Sequence, residues 1–143
     1  MLAAALHQKG MILESISSFP DALNAYYQSL QIKREIGDRA GEAMTLYQVG
    51  MVYQLTNQFE KALMCYNQSL QIKREIGDRA GEAMTLYQVG IVYQLTDQFE
   101  KALEYYDESL QIEEEIGNKQ GERIILRAIR ILKKKMLERK EAE

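Results

Sequence analysis

The sequence predicts an all-α fold: a solenoid of three helix pairs closed by a C-terminal helix, in one domain over residues 1–143. Three observations predict it. Residues 31–70 and 71–110 align without a gap and are identical at 34 of 40 positions. A further shift by 40 matches residues 1–30 to 41–70 at 12 positions, among them Leu6, Gly10, Phe19, Ala22, Leu23, Tyr26 and Leu30. Within each unit apolar residues recur twice at helical spacing, and no stretch alternates as a strand would. A fixed period of about 20–50 residues marks stacked repeats, each of which buries its apolar face only against a neighbour.

The elements follow in order, with repeats at about 3–37, 38–77 and 78–117 and the closing helix at about 119–140. In the first helix of the second unit, Leu46, Val49, Gly50 and Tyr53 share one face. The second helix carries Phe59, Ala62, Leu63, Tyr66 and Leu70 as a core-facing stripe. Pro20 falls in the first turn of its helix, where its missing N–H costs little. Asn57-Gln58-Phe59-Glu60 and Asp97-Gln98-Phe99-Glu100 have the spacing of capping boxes. Gly37, Gly77 and Gly117 stand where a helix end needs a left-handed residue, and Asp38, Asp78 and Asn118 follow as caps for the next helix.

A fourth copy begins at Gln111-Ile112 and keeps Ile116-Gly117 and Gly121-Glu122. It then places Arg130 and Lys133 where its copies have Gly90 and Tyr93, so no second helix packs on that face. Ile125, Ile129, Leu132 and Met136 remain to cover the third repeat, as a solvating cap requires. The start has no such cap. Leu2, Ala3 and Leu6 begin almost at once, and Lys9 stands where the copies have Val49 and Val89. That end is expected either to continue a longer array or to contact another chain.

These residues resemble the tetratricopeptide repeat, whose pattern W-x2-L-G-x2-Y then A-x3-F crosses a helix pair. Here it runs Leu46-x2-Val49-Gly50-x2-Tyr53 with Ala62-x3-Tyr66, and again Leu86-x2-Val89-Gly90-x2-Tyr93 with Ala102-x3-Tyr106. Small Gly50 and Ala62 are expected to let the two helix backbones approach. The unit exceeds the common 34 residues by six, accommodated in Lys33–Arg39, which lengthens the second helix and the turn. Units of this length with the junction Ile-Gly-Asp-Arg-x-Gly-Glu-Ala resemble those of spindle-orientation adaptors, kinesin light chains and bacterial multi-repeat proteins. The resemblance implies a right-handed solenoid and a protein-binding role.

Composition narrows the function from the other side. One Cys (Cys65) and one His (His7) can form neither an internal disulfide nor a four-ligand zinc site, and nothing near His7 reads as a nucleophile. No cofactor, metal or catalytic residue is expected, and the chain is not expected to be an enzyme. Net charge is −3, which argues against nucleic acid. It is unevenly spread: residues 100–118 hold seven acids against one Lys, and residues 119–143 hold nine bases against four acids. The acidic stretch Asp107, Glu108, Glu113, Glu114 and Glu115 reads as a solvated face or a local partner of the basic helix. The run Arg127, Arg130, Lys133, Lys134, Lys135, Arg139 and Lys140 reads as a solvated cap face, since no aromatic interleaves it. No apolar run approaches the ~18–20 residues of a membrane span, so a cytoplasmic chain is expected. Cys65, replaced by Tyr105 in the next copy, reads as a packing position.

The resemblance also says where to look for a partner, because relatives bind ligands in a concave groove lined by first helices. The groove positions here are Met44, Tyr47, Met51, Gln54 and Leu55, then Met84, Tyr87, Ile91, Gln94 and Leu95; the first repeat offers His7, Met11, Glu14 and Ser15. A row of Tyr, Met, Ile and Leu left uncovered is an apolar patch of the kind that binds partners. The basic clamp by which relatives hold chaperone C-termini is absent, since His7, Met11, Met51, Met84 and Gln88 take its places. The Asn-rich groove of the spindle adaptors is missing too, with Gln48, Met51, Gln88 and Ile91 there instead. The expected function is a protein-interaction scaffold binding a peptide or partner segment in an apolar groove. The alternative is a self-associating module or a fragment of a longer array.

Overall fold

The computed structural model describes residues 1–15 and 18–143. Its described residues form seven α-helices: α1 (Leu2–Ser15), α2 (Phe19–Ile36), α3 (Arg39–Leu55), α4 (Phe59–Ile76), α5 (Arg79–Leu95), α6 (Phe99–Ile116) and α7 (Lys119–Ala142). They group into two compact units, Met1–Gly77 with α1–α4 and Asp78–Glu143 with α5–α7. In the first unit α1 packs on α2, α2 on α3 and α3 on α4; in the second α5 packs on α6 and α6 on α7.

Turn chemistry sets the boundaries. Gly37, Gly77 and Gly117 end α2, α4 and α6 at φ of 73°, 75° and 73°, a left-handed state open to glycine at no steric cost. Asp38, Asp78 and Asn118 then accept the N–H of Gly41, Gly81 and Gly121, capping α3, α5 and α7 as expected. Pro20 does lie in the first turn of α2.

The capping boxes expected at 57–60 and 97–100 do not form. Asn57 and Asp97 instead take φ of 60° and donate their N–H to Gln54 and Gln94, closing the preceding helices. The N-cap positions of the next helices fall one residue later, at Gln58 and Gln98, with no side-chain cap bond. That displacement puts Glu60 and Glu100 second in their helices instead of third, out of reach of the box geometry.

The core repeats with the sequence. Tyr26, Tyr66 and Tyr106 are fully buried, and each ring packs against the glycine of its partner helix. A Cβ on Gly50 would stand 2.7 Å from the Tyr66 ring, and one on Gly90 2.6 Å from Tyr106. The small residue therefore admits a ring, and at Gly90 also the partner backbone, whose Ala102 carbonyl oxygen lies 3.3 Å from the same added Cβ. A second lock, not foreseen, recurs in every pair. The fully buried hydroxyls of Ser29, Ser69 and Ser109 donate to the carbonyls of Ala3, Ala43 and Ala83 at 2.7, 2.7 and 2.6 Å. Each such bond contributes about 1 kcal/mol and sets the register of one helix on the other.

Within the second and third pairs, charge completes the packing. Arg39 bridges Glu42 on its own helix to Glu75 at the end of α4, and Arg79 repeats this with Glu82 and Glu115. In α7, Ile125, Ile129 and Leu132 are buried against Phe99, Ala102 and Tyr106, while Arg130 and Lys133 are exposed, as the cap reading requires. Arg139 departs from that reading. Its guanidinium lies 4.9 Å from the Phe99 ring centre and donates to the Asp97 carbonyl, pinning the cap to the α5–α6 turn.

Candidate partner-binding site

The second unit contains a cleft of about 390 Å³ between α5 and α7, floored by Tyr106 of α6. Tyr87, Ile91, Gln94 and Leu95 form one wall because they recur at i, i+4, i+7 and i+8. Ile124, Arg127, Ala128 and Ile131 form the other at i, i+3, i+4 and i+7. Leu95, Ile124 and Ile131 are about half exposed, at 55, 47 and 47%. The floor is held still by a hydrogen bond from the Tyr106 hydroxyl to Gln94 Oε1, 2.8 Å long. The cleft is thus apolar, firm-bottomed and carries one cation, Arg127. It brings together four of the five positions read from the third repeat; Met84 is exposed but does not line it.

In the first unit, Met44 and Leu55 are exposed and Met51 and Gln54 half-buried. Tyr47 is buried, its ring 5.7 Å from that of Tyr66 and capped by Lys73 Nζ at 4.5 Å from its centre. Tyr47 therefore packs within the unit, whereas Tyr87 is half-buried and reaches its cleft.

His7 takes the place of those tyrosines in α1 and is also buried. Its Nδ1 lies 3.0 Å from Thr45 Oγ1, which receives Lys33 Nζ at 2.9 Å and donates to the Gly41 carbonyl. With its proton committed to Gly41, the hydroxyl has two lone pairs for Lys33 and for an Nδ1–H, which assigns the tautomer. Burial and the neighbouring Lys33 charge pull the imidazole down to about 4. It is a neutral packing residue, held by the Thr45 hydroxyl. Burial likewise pushes the Cys65 thiol up to about 11, which leaves it protonated.

The acidic stretch is not uniformly solvated. Glu113 is 5% exposed and its Oε2 has no hydrogen-bond partner among the described residues. The 40-residue period explains the burial: Glu113 occupies the place of Lys33 and Lys73, over the capping turn of the next helix, and its carboxylate lies against Gly121. Glu115 pairs with Arg79. Among the described residues no cluster of His, Cys, Asp or Glu has the makings of a metal site, and no helix is long and apolar enough to cross a membrane. Sequence reasoning missed the α7 wall of the cleft, although Ile124, Ala128 and Ile131 follow helical spacing.

A model of the tetratricopeptide repeat matches residues 1–75 and again 42–115. No curated protein matches the chain by sequence. Among solved structures, the apo form of RapI superposes with a TM-score of 0.87 at 19% identity, covering 95% of this chain and 50% of that one. The TPR2AB domain of yeast Sti1, solved in complex with pHSP90, superposes at 0.81 and 17% identity, with 96 and 48% covered. BtubC from P. vanneervenii gives 0.72 at 14% identity, with 94 and 64% covered. The chain thus spans less than two thirds of the length of these structures. At such identities the likeness establishes the fold, an all-α solenoid of tetratricopeptide type. Its repeat pattern, its helix pairs and the matched family model agree: the chain belongs to the tetratricopeptide-repeat family.

Proposed function

We propose that the protein is a non-catalytic, cytoplasmic interaction scaffold that holds an apolar peptide segment of a partner protein. The anchors are Tyr87, Ile91 and Leu95 of α5, continued by the α7 wall. The observation that carries this is the half-exposed apolar cleft over a floor fixed by the Tyr106–Gln94 bond, since a firm apolar pocket with a few polar groups suits ligand capture. Met44, Tyr47, Met51, Gln54 and Leu55 of the first unit, and Met84 of the second, belong to the proposal as further partner-contacting positions, each on its own unit. Sti1, solved with pHSP90, is a family member holding a protein partner. Its ligand does not transfer, because Met51, Met84 and Gln88 replace the basic clamp.

The test is selection of peptides from a displayed library, followed by calorimetry on the enriched peptide. Leu95→Glu with Ile131→Glu, both at exposed positions, should weaken binding at least about tenfold with the helical spectrum intact. Unchanged affinity, or a library that enriches nothing, refutes the groove. Self-association is the second reading, favoured by Leu2, Met11 and Ile12 of α1, which are 66, 48 and 57% exposed. Light scattering that stays at 16.5 kDa over a hundredfold concentration range excludes it, while a larger mass that Ile12→Asp returns to monomer supports it.

A further inference from the structure

A second cavity, of about 400 Å³, opens between α2 and α4 over α3 in the first unit. Tyr27, Tyr53, Met64 and Cys65 line it together with Leu30 and Leu46, and Arg34 and Lys61 are its charged lining; no carboxylate lines it among the described residues. The Tyr27 and Tyr53 hydroxyls meet at 2.8 Å, tying α2 to α3 beside the opening, and Met64 is 63% exposed.

The third repeat shows what fits such a place. Forty residues on, Tyr53 and Lys61 recur as Tyr93 and Lys101, and Cys65 becomes Tyr105. The Tyr105 ring stacks on Tyr93, with centres 5.4 Å apart and planes within 24°, and Lys101 Nζ lies 5.3 Å from the Tyr93 centre. In the second repeat the tyrosine and the lysine keep that arrangement, with Lys61 Nζ 5.6 Å from the Tyr53 centre, but the stacking ring is gone. With a thiol at Cys65, that residue and Tyr53 both line the cavity beside Tyr27, whose counterpart forty residues on is Asn67. The protein thus holds a tyrosine ready to stack beneath a cation, with the third repeat as its filled template.

We infer that this cavity is a docking slot for an aromatic side chain of a partner peptide flanked by carboxylates. The ring stacks on Tyr53 as Tyr105 stacks on Tyr93, covering an apolar wall that includes exposed Met64. The flanking acids meet Lys61 and Arg34; Glu42 engages Arg34 only at Nε, 3.0 Å away. The slot lies on α2, α3 and α4, apart from the α5–α7 cleft, and does not depend on it.

The experiment is amide NMR titration of the full chain with the blocked pentapeptide Asp-Glu-Phe-Glu-Asp. Controls are the same peptide with Ala for Phe, and Lys-Lys-Phe-Lys-Lys. Saturable shifts at Tyr27, Tyr53 and Cys65 are expected with the first peptide, at least about tenfold weaker with either control. Cys65→Tyr should supply the protein's own ring, as the third repeat does, and abolish those shifts without lowering the melting temperature. Lys61→Glu, at an exposed position, reverses the charge over the Tyr53 ring and should reverse the preference between the acidic and basic peptides. The proposal falls if no shifts saturate by about 5 mM, a ceiling weaker than any useful docking contact. It falls equally if the Ala peptide binds as well, if folded Cys65→Tyr binds undiminished, or if Lys61→Glu leaves the preference unchanged. Shifts of the same amides with protein concentration alone would give the slot to a second copy and overturn it too.

Discussion

Replacing Gly50 by Ala sets two physical effects of opposite sign against each other. Gly50 lies inside α3, where helix propensity alone favours Ala by about 1 kcal/mol. The added Cβ, however, would meet the Tyr66 ring at 2.7, 2.8 and 3.2 Å. Carbon atoms rest at about 3.5–4.0 Å, so the ring must retreat by roughly 0.8 Å. It has nowhere to go: Tyr66 is fully buried, leans on Tyr47 and donates its hydroxyl to Gln54 at 2.7 Å. Overpacking of this kind costs about 1–3 kcal/mol, and losing the hydroxyl bond adds about 1 kcal/mol. The expected net effect of Gly50→Ala is destabilisation by about 1–3 kcal/mol, read as a lower urea midpoint in circular dichroism. In a Tyr66→Leu background the clash disappears and the same substitution should become neutral or stabilising. A more stable Gly50→Ala single variant would show that the ring does not depend on the missing side chain.

Two further outcomes follow from buried groups. Because His7 is held near 4, below its ordinary 6.5, the unfolded chain binds its proton first as pH falls. Stability should therefore decline from about pH 6.5 through 4, by at most about 3 kcal/mol. His7→Tyr, which installs the residue of the other two repeats, should flatten that part of the profile; identical profiles would refute the assignment. Glu113→Met, removing a buried carboxylate with an unpartnered oxygen, should raise stability by about 1–3 kcal/mol at neutral pH in urea titration. Destabilisation instead would mean that the carboxylate has a partner.

The sequence by itself determined the architecture. A 40-residue identity, helical spacing of apolar residues and glycines at fixed offsets each constrain local structure. Where one residue's own conformational preference decides, as at Gly37 with its positive φ or Asp38 with its cap, the reading and the structure coincide. The capping boxes at 57–60 and 97–100 failed because spacing is shared by alternatives: the same Asn can start one helix or end another. Only the turn it sits in chooses.

Which apolar residues of the first helices remain open could not be read from the pattern, because equivalent positions have different neighbours. Tyr47 and Tyr87 occupy the same place in sequences otherwise nearly identical, yet Tyr47 is covered by Lys73 while Tyr87 lines a cleft with α7. The cleft exists because α7 supplies Ile124, Ala128 and Ile131 as a second wall, a contact set by packing at long sequence separation. Likewise, the exchange of Tyr105 for Cys65 is a minor difference in sequence. It becomes a cavity only once α2, α3 and α4 enclose the space beside it. Repetition specifies each helix pair locally; the surfaces that can hold a partner come from what each repeat happens to pack against.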